Sequence, residues 1–235
     1  MTAIADSVVL VTGANGGMGG EFVRQALARG ARKVYATARR PRIWDDERVV
    51  PLALDVTDAV SVAAAAEVAG DTTIVVNNAA ITNTDPLLSI KFDDVRALYE
   101  TNVFGPLAVA QAFAPILKSH GGGALIDIHS ALSWLSTPSI YPSTKSAFWS
   151  VTNGLRIELD SQKTQVLGAF MAFMDTPLIA ELDVPKSSPA DMVTVVLDAL
   201  EAGALEVIAD DISHEVKRKL SGPLEDLYPQ LTAEH

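Results

Sequence analysis

Two side chains near the middle of the chain have the types and the spacing of an acid–base pair. Tyr141 and Lys145 are four positions apart, so on a helix their side chains are neighbours, about 6 Å apart along the axis. A lysine ammonium beside a phenol lowers the pKa of the phenol from its ordinary value of about 10. The pair therefore predicts proton exchange with an alcohol or a ketone. The spacing also occurs by chance, and the alternative is an ordinary pair on a helix surface.

A glycine-rich segment near the start of the chain predicts a site for a dinucleotide. The residues TGANGGMG occupy positions 12–19, directly after an apolar run of strand length. A strand that leads through such a turn into a helix presents unpaired N–H groups and the positive end of the helix dipole to an anion. Gly13 suits the tight turn, Gly17 a close approach to the pyrophosphate, and Gly19 close packing of helix on sheet. Glycines also serve simple turns, so the position after the first strand carries this argument.

The end of the second predicted strand indicates which dinucleotide binds. An acidic residue there would bind the ribose 2′-OH of NAD, whereas an arginine suits the 2′-phosphate of NADP. The strand ends at Arg39 and Arg40, and no acid occurs between positions 31 and 44. We therefore favour NADP(H) without excluding NAD(H); the alternative is that both arginines are solvated surface charges. Asp55, after the third strand, is placed to accept a hydrogen bond from an adenine amino group, or to cap the following turn.

The elements that must position these residues alternate along the chain. Strand-length apolar runs occur at 7–12, 33–37, 49–54, 73–76, 124–129, 165–170 and 205–208, and helical patterns at 21–29, 58–68, 93–101, 104–118, 141–159 and 189–201. Strands without polar alternation are buried on both faces, as in a parallel sheet. We predict an α/β fold with a single Rossmann-type doubly wound parallel β-sheet flanked by helices on both faces. Residues 211–235 are expected to form one helix and a frayed tail.

The composition limits the classes of protein that the chain can belong to. With 235 residues and 49% hydrophobic content, one well-buried domain over 1–235 is expected. A net charge of -11 opposes binding to nucleic acid or an anionic membrane. The absence of cysteine excludes disulfides and thiol catalysis, and the four histidines are too scattered for a metal site. Without a visible signal or membrane-spanning segment, a cytoplasmic location is expected.

The motifs together resemble the short-chain dehydrogenase/reductase family over nearly the whole chain, in particular a carbonyl-reductase-like member. In the order of the family, the matches are TGANGGMG at 12–19, LDVTD at 54–58, NNAA at 77–80, TNVFG at 101–105, IDIHS at 126–130 and YPSTK at 141–145. Thr176 matches the family's threonine after the sixth strand. The resemblance implies hydride transfer between a nicotinamide and a carbonyl carbon, for which the protein supplies orientation and the proton.

The resemblance also implies the roles of individual residues. Tyr141 would be the acid in reduction and the base in oxidation, while Lys145 would lower its pKa and hold the nicotinamide ribose. Ser130 would bind the substrate oxygen, and Asn102 would anchor a water that passes protons from Lys145 to solvent. The residues assigned to the cofactor are Gly13, Asn15, Gly17, Met18, Gly19, Arg39, Asp55, Val56, Asn78, Ala79, Tyr141, Lys145 and Thr176.

Three departures from the family pattern bear on the substrate site. The segment from Ser130 to Tyr141 is two residues shorter than is usual, which could widen the pocket or loosen the start of the helix; Ser133 and Ser136 are the other serines nearby. Ala80 stands where the family usually has glycine, and Met171-Ala172 replaces a Pro-Gly pair. None of these changes removes a catalytic group.

The expected surroundings of the substrate are mainly apolar and carry no basic group that would bind a carboxylate or a phosphate. They are Leu132, Trp134, Leu135, Ile140, Phe173, Met174, Leu178 and Leu182, with a lid at about 174–188. For Leu135 and Ile140, packing in the core or in a subunit interface is the alternative. His129 is expected to pack near this pocket, and Asp210 to end a strand and cap a helix.

The sequence therefore predicts an NADP-dependent oxidoreductase that reversibly reduces a neutral, apolar ketone or aldehyde, aromatic ones included. One alternative is an NAD-dependent alcohol dehydrogenase of the same family. Another is a non-catalytic protein that senses the dinucleotide, although such a protein would be expected to lose the serine, the tyrosine or the lysine. As in most of the family, a homodimer or homotetramer is expected, with the helices at 104–118 and 141–159 in the interface.

Overall fold

The computed structural model describes residues 2–175, 183 and 186–231, and in this part of the chain seven strands form one parallel sheet. The strands are β1 Val8–Val11, β2 Lys33–Ala38, β3 Val49–Ala53, β4 Ile74–Asn77, β5 Gly123–Ile128, β6 Thr164–Phe170 and β7 Glu206–Ile208. Their order across the sheet is β3-β2-β1-β4-β5-β6-β7. The order changes direction between β1 and β4, and the crevice outside the carboxyl ends of strands at such a point is where ligands bind in open α/β sheets.

Helices cover both faces of the sheet, which confirms the predicted fold class. The α-helices of the described residues are α1 Gly17–Ala28, α2 Ala59–Val68, α3 Phe92–Tyr99, α4 Gly105–Ser119, α5 Tyr141–Leu159, α6 Pro189–Glu201, α7 Asp211–Lys219 and α8 Leu224–Leu227; α1 and α6 pack on one face of the sheet, and α2, α4 and α5 on the other. Among these helices as described, none is long and apolar enough to cross a membrane.

The continuous apolar runs of the strands are explained by two cores, one on each face of the sheet. Val9 and Val11 of β1 pack on one side with residues of α1 and α6. Val8 and Leu10 pack on the other side with residues of α2, α4 and α5. Because successive side chains of a strand point to opposite faces, every position of β1 is buried. Because both faces of the sheet are apolar, helices are needed on both sides to cover them.

Two features of the helices differ from the sequence prediction by more than one or two residues at a boundary. Helix α1 begins at Gly17, earlier than the expected start at residue 21, because the glycine-rich segment forms the first turn of the helix itself. The region after residue 210 contains two helices, α7 and α8, where one was predicted. Gly222 and Pro223 separate them; a glycine readily ends a helix and a proline cannot continue one.

Candidate active site

A cavity of about 2220 Å³ runs along the carboxyl ends of the strands. Pockets for a single small ligand are typically roughly 300–1,000 Å³, so this cavity has room for a dinucleotide together with a substrate. Ser130, Tyr141 and Lys145 line it, whereas the Asn102 side chain is buried beside α5. The predicted cofactor residues in its wall are Gly13, Asn15, Gly17, Met18, Gly19, Arg39, Asp55, Val56, Asn78 and Ala79.

Tyr141 and Lys145 are brought together by the first turn of α5, as their spacing predicts. The Lys145 Nζ lies 5.8 Å from the centre of the Tyr141 ring and donates a hydrogen bond of 3.1 Å to the carbonyl oxygen of Ile128. The Tyr141 hydroxyl makes no hydrogen bond with the residues that the structure describes. The hydroxyl is therefore available to a ligand in the cavity.

The electrostatics of the pair differ from the prediction. Burial raises the pKa of Tyr141 above its ordinary value, so the lowering expected from Lys145 is wrong for this arrangement. Burial also lowers the pKa of Lys145 to about 8, against the opposing effect of Asp127, because an ammonium that leaves water loses its hydration. For Tyr141, loss of hydration outweighs the attraction of the nearby ammonium. The phenol is thus held in its protonated form, the form that can donate a proton.

Ser130 follows β5 and presents its hydroxyl to the same cavity. Its Oγ accepts a hydrogen bond of 3.1 Å from the Leu132 N–H, which caps the 3₁₀ turn Ala131–Ser133. This contact uses the oxygen and leaves the O–H proton free to be donated to a ligand. The alternative serines lie elsewhere, since Ser133 is buried and Ser136 is exposed outside the cavity lining.

Asn102 lies in the π-helical turn Glu100–Phe104, which joins α3 to α4. Such single-turn departures from α-helix are often found at functional sites. Its side-chain N–H groups donate to the Ile81 carbonyl at 2.9 Å and to Thr144 Oγ1 at 3.2 Å. Its Oδ1 accepts a bond of 3.0 Å from the Ile81 N–H. Asn102 therefore ties the loop after β4 to α5, and its proposed role with a proton-carrying water stays a prediction.

The glycine-rich turn fits closely against the end of β4. Gly13 has φ +67°, a left-handed conformation that glycine adopts without strain. A Cβ at Gly19 would lie 2.3 Å from the Gly13 carbonyl oxygen, so only glycine allows α1 to pack this close. Asn78 Nδ2 donates to the carbonyl oxygens of Thr12 at 2.8 Å and Gly13 at 3.3 Å. Asn78 thereby braces the turn against the end of β4.

The start of α1 has the features of an anion site. Gly16 precedes the helix without a capping side chain, and the first turn has no acidic residue. Gly17, Met18 and Gly19 form part of the cavity wall. The unpaired N–H groups of the first turn and the positive end of the helix dipole therefore face the cavity, an arrangement that fits a pyrophosphate.

Basic residues after β2 border the cavity beside the glycine-rich turn. Arg39 and Arg40 line it, and Asn15 fixes their loop by donating a bond of 2.7 Å to the Arg40 carbonyl oxygen. Arg42 is directed elsewhere, because its guanidinium stacks 3.9 Å from the centre of the Trp44 ring. The two lining arginines form a cationic border that fits a further phosphate group.

Asp55 has the capping role that was one of its two predicted roles. Its Oδ1 accepts hydrogen bonds from the Thr57 N–H at 3.0 Å and the Thr57 hydroxyl at 2.8 Å. These bonds, with a smaller contribution from Arg39, lower the pKa of Asp55. Asp55 also lines the cavity, so its second oxygen remains open to the predicted adenine contact.

The substrate end of the cavity includes some of the predicted residues and excludes others. Leu132, Leu135, Phe173 and Met174 line it. The placement of Trp134 is wrong: this side chain is buried and stacks on Phe170, with ring centres 4.3 Å apart. The 3₁₀ turn directs the indole inward, towards a small apolar cluster beneath the site. Ile140 is also absent from the described lining of the cavity. For this residue, packing in the core or in a subunit interface is the alternative prediction.

A comparison of the chain with models of known protein families identifies its family. A model of the short chain dehydrogenase family matches residues 7–186. The chain belongs to the short-chain dehydrogenase family. It is accordingly an oxidoreductase, as the sequence predicts.

Several similar proteins agree with this assignment. A short chain dehydrogenase from Burkholderia cenocepacia J2315, solved in complex with NADP, is 36% identical with a TM-score of 0.92; the match covers 99% of this chain and 100% of that chain. The short-chain dehydrogenase cctT of Talaromyces islandicus is 31% identical over 206 residues, 81% of this chain and 72% of that protein. An uncharacterized oxidoreductase of Staphylococcus aureus (strain USA300) is 30% identical over 217 residues, 85% of this chain and 93% of that protein.

In this dehydrogenase, hydrogen bonds from α5 and from the region after α8 hold the short segment between Ser130 and Tyr141 in place. Ser146 of α5 donates a bond of 2.9 Å to the Ser133 carbonyl oxygen. The Ser136 N–H donates a bond of 2.9 Å to the hydroxyl of Tyr228, which follows α8. Helix α5 still begins at Tyr141. The shortening therefore leaves the start of the helix intact, and residues 137–139 border the cavity.

The region after β7 contributes to the site more than the sequence indicates. Asp210 caps α7, as predicted, through a bond of 2.8 Å from the Ser213 N–H. It also accepts a bond of 2.7 Å from the Ala172 N–H and so fixes the turn that replaces Pro-Gly. Ile212 and Val216 line the cavity. Their spacing of four on a charged helix is the one sequence signal that could have revealed this wall.

Other lining residues come from the loop after β4 and from the end of α3. They are Ile81, Thr82, Asn83, Thr84, Ala97 and Glu100, and several of them add polar side chains to the cavity wall. The predicted Thr176, Leu178 and Leu182 lie outside the described residues, as does most of the predicted lid. At its borders, Met174 and Ser187 form an isolated parallel bridge.

Proposed function

We propose that this dehydrogenase reduces a neutral, mainly apolar ketone or aldehyde to the alcohol, reversibly, with NADPH as the hydride donor. The observation that carries the proposal is the convergence of Ser130, Tyr141 and Lys145 on the same cavity as the start of α1 and Arg39. One end of the cavity suits a dinucleotide phosphate, and the other has two hydroxyl donors beside an ammonium. These are the groups that hydride transfer to a carbonyl requires of the protein.

The residues that would hold the cofactor fit its parts. The N–H groups of α1 suit the pyrophosphate, Arg39 and Arg40 suit the 2′-phosphate, and Asp55 suits the adenine amino group. Lys145 would hold the ribose next to the nicotinamide. When bound, the reduced nicotinamide supplies the hydride. The presence of NADP in the similar Burkholderia protein supports the same choice here.

The chain's own residues would handle the proton. Ser130 would donate its free O–H to the carbonyl oxygen of the substrate and so hold it beside Tyr141. The protonated Tyr141 would then transfer its proton to that oxygen as negative charge develops on it. The Lys145 ammonium would stabilise the phenolate that remains. In the oxidation direction the same groups would act in reverse, with Tyr141 as the base.

The experiment that tests the proposal compares NADPH and NADH across a panel of neutral alkyl and aryl ketones. We expect turnover with a clear preference for NADPH. In Arg39→Gln, NADPH should bind about 10- to 100-fold more weakly because a charge-assisted bond is worth about 1.5–3 kcal/mol, while NADH binding should not change. Arg24→Gln, which removes an exposed arginine paired with Glu21, is the control. A preference for NADH would favour an NAD-dependent alcohol dehydrogenase, and cofactor binding without turnover would favour a sensor.

We further propose that the protein forms a homodimer or a homotetramer. Ile157 on α5 is 80% exposed, and Phe104, which precedes α4, is 51% exposed. These side chains are apolar and lie on or beside the two helices expected in the interface. Light scattering after size-exclusion chromatography gives the mass directly, and a monomer at micromolar concentration would refute the proposal.

A further inference from the structure

The end of β5 and the residue that follows it place two polar side chains in the layer between the sheet and α5. Asp127 and His129 are two positions apart, so their side chains point to the same face of the strand. Both make hydrogen bonds to Thr152 of α5, and both are buried. Burying a carboxylate costs free energy unless it is well paired, and no step of the proposed reaction yet accounts for Asp127.

Every hydrogen bond in this group is directed towards the Asp127 carboxylate. Asn77 Nδ2 donates to Oδ1 at 2.9 Å, and the Thr152 hydroxyl donates to Oδ2 at 2.6 Å. Since the Thr152 proton is used in this way, Thr152 Oγ1 accepts the bond of 3.0 Å from His129 Nε2. We therefore assign His129 as the neutral tautomer with its proton on Nε2. This arrangement of donors is the one that stabilises an anion.

The anion lies one residue along β5 from the carbonyl group that the lysine of the proposed catalytic pair binds. The Lys145 Nζ donates to the carbonyl oxygen of Ile128, the last residue of β5, which lies between Asp127 and His129 in the sequence. In the described part of the chain, the titratable and charged groups that face Asp127 are Lys145 and Arg156 of α5 and His129, which directly follows β5. His129 is neutral because burial, with the charges of Lys145 and Arg156, lowers its pKa.

We propose that Asp127 is a positioning residue for the reaction: it is the buried anion that keeps the Lys145 ammonium protonated between β5 and α5. The importance of this charge for turnover rests on the proposed function. The pairing of the two charges is inferred from their positions, since both residues are buried between β5 and α5 and Lys145 binds the backbone of the residue next to Asp127. Asp127 is absent from the described lining of the cavity and would act only through Lys145.

The electrostatic balance at the pair supports this assignment. Burial raises the pKa of Asp127 to about 6 and lowers the pKa of Lys145 to about 8. Asp127 is the group that opposes the lowering at Lys145. Between these two values both groups are charged and stabilise each other. Without the anion, Lys145 would lose its proton at a lower pH.

The direct test is the titration of Lys145 by NMR in protein labelled with ¹³C-lysine, with the Lys145 signal assigned by its absence from Lys145→Met. We expect a titration midpoint near 8 in the wild type. In Asp127→Asn the midpoint should fall by about 1–3 pH units, the usual effect of removing an adjacent opposite charge. An unchanged midpoint would overturn the proposal.

The substitution Asp127→Asn is chosen because the hydrogen-bond chain can reverse its direction. The new amide can accept from Asn77 and donate to Thr152, which then donates to His129 in its other tautomer. The matched control is Asp71→Asn. It removes a carboxylate that binds Lys33 at 2.7 Å, far from the cavity, and should leave the Lys145 midpoint unchanged.

A second variant keeps the test decisive if Asp127→Asn does not fold. Thr152→Val keeps the shape of the side chain but removes the donor to Asp127, so the pKa of Asp127 should rise further. The Lys145 midpoint should then fall, by less than in Asp127→Asn. A midpoint that stays the same or rises in Thr152→Val would contradict the proposal.

Activity against pH separates this inference from the proposed function. In the wild type, kcat should decline on the alkaline side as Lys145 loses its proton, and in Asp127→Asn that decline should begin at lower pH. A kcat that is lower by the same factor at every pH, with its pH profile unchanged, would make Asp127 merely structural and overturn the inference. If the wild type has no ketone reductase activity, the proposed function fails, and the NMR titration still decides the role of Asp127.

Discussion

The two ends of the cavity are built from different kinds of structure. The dinucleotide end consists of strand ends and a helix start, braced by Asn78 against the backbone of Thr12 and Gly13. The substrate end consists of irregular segments held by single side chains, such as Tyr228 on Ser136. The dinucleotide end is fixed by the topology of the sheet, since moving its strand ends would disrupt the core. The substrate end can change without disturbing the sheet, which makes it suitable for differences in substrate.

The largest expected effect lies where the two ends meet, at Tyr141. Tyr141→Phe removes the hydroxyl but keeps the ring, so kcat should fall by about 10²–10⁴-fold, the usual contribution of a positioned acid. The dissociation constant for NADPH should remain within about twofold, because the phosphate contacts are at the other end of the cavity. Steady-state kinetics and fluorescence titration measure the two quantities.

Tyr99→Phe is the matched control for this prediction. The Tyr99 hydroxyl donates to Ser143 Oγ at 3.1 Å and lies outside the cavity lining. Its loss should leave kcat nearly unchanged. Substantial activity in Tyr141→Phe would remove Tyr141 from the proposed mechanism.

A second prediction tests how rigid the dinucleotide end is. In Gly19→Ala the new Cβ would lie 2.3 Å from the Gly13 carbonyl oxygen and 2.9 Å from the Ala14 Cα. Because both atoms belong to the backbone, α1 must shift, at a cost of about 1–3 kcal/mol or more. This exceeds the gain in helix propensity from glycine to alanine, about 1 kcal/mol. We expect a lower Tm and weaker NADPH binding.

The neighbouring glycine provides the control. At Gly16 a Cβ would meet only the Gly13 carbonyl oxygen, at 3.7 Å, which is ordinary contact. Gly16→Ala should therefore cost well under the amount expected for Gly19→Ala. Equal losses in the two variants would show that the close approach of α1 to the turn does not limit the site.

The difference between the two ends also explains what the sequence could predict. The parallel sheet, the bounds of α5 and α6, and much of the cavity wall at the dinucleotide end follow from local patterns in the sequence. Trp134 could not be placed in this way, because the direction of its side chain depends on a 3₁₀ turn that packs on Phe170. The cavity wall from Ile212 and Val216 depends on how the end of the chain returns to the site.

The pKa of Tyr141 could not be predicted for a related reason. The spacing of Tyr141 and Lys145 indicates an ammonium near a phenol, but says nothing about how far both are removed from water. In the folded protein burial acts on both groups and dominates. Spacing along a helix thus predicts which groups meet, whereas their protonation depends on the whole surrounding structure.

A third prediction concerns Asp127, which lies beneath the junction of the two ends. Its pKa in the folded protein, about 6, is above the ordinary value of 3.8, so folding favours the protonated form. The corresponding stability is fully present below about pH 4 and is lost as the pH rises through 6. A shift of this size corresponds to about 3 kcal/mol. Asp127→Asn should therefore be at least as stable as the wild type at pH 8.

Urea denaturation of the two proteins at pH 5 and pH 8 measures this difference. The free energy of unfolding of the wild type should fall relative to that of Asp127→Asn between the two pH values. Between pH 5 and pH 8, Asp127→Asn should therefore become more stable relative to the wild type. This is also the pH range in which its Lys145 loses its proton. If the difference in unfolding free energy between the two proteins is the same at both pH values, burial does not raise the pKa of the Asp127 carboxylate.

The smallest expected effect tests the claim that the substrate end is held by single side chains. Tyr228→Phe removes the acceptor of the Ser136 N–H but keeps the aromatic ring. A hydrogen bond of this kind contributes about 0.5–1.5 kcal/mol, and water can replace part of it because Ser136 is exposed. We expect kcat/KM for the ketone to fall by about 2- to 10-fold, mainly through KM, while the affinity for NADPH stays unchanged. Substrates that reach residues 137–139 should be affected more than small ones, because only they depend on the position of this segment. If NADPH affinity falls together with kcat/KM, the two ends are coupled, and the contrast between a rigid end and an adaptable one does not hold.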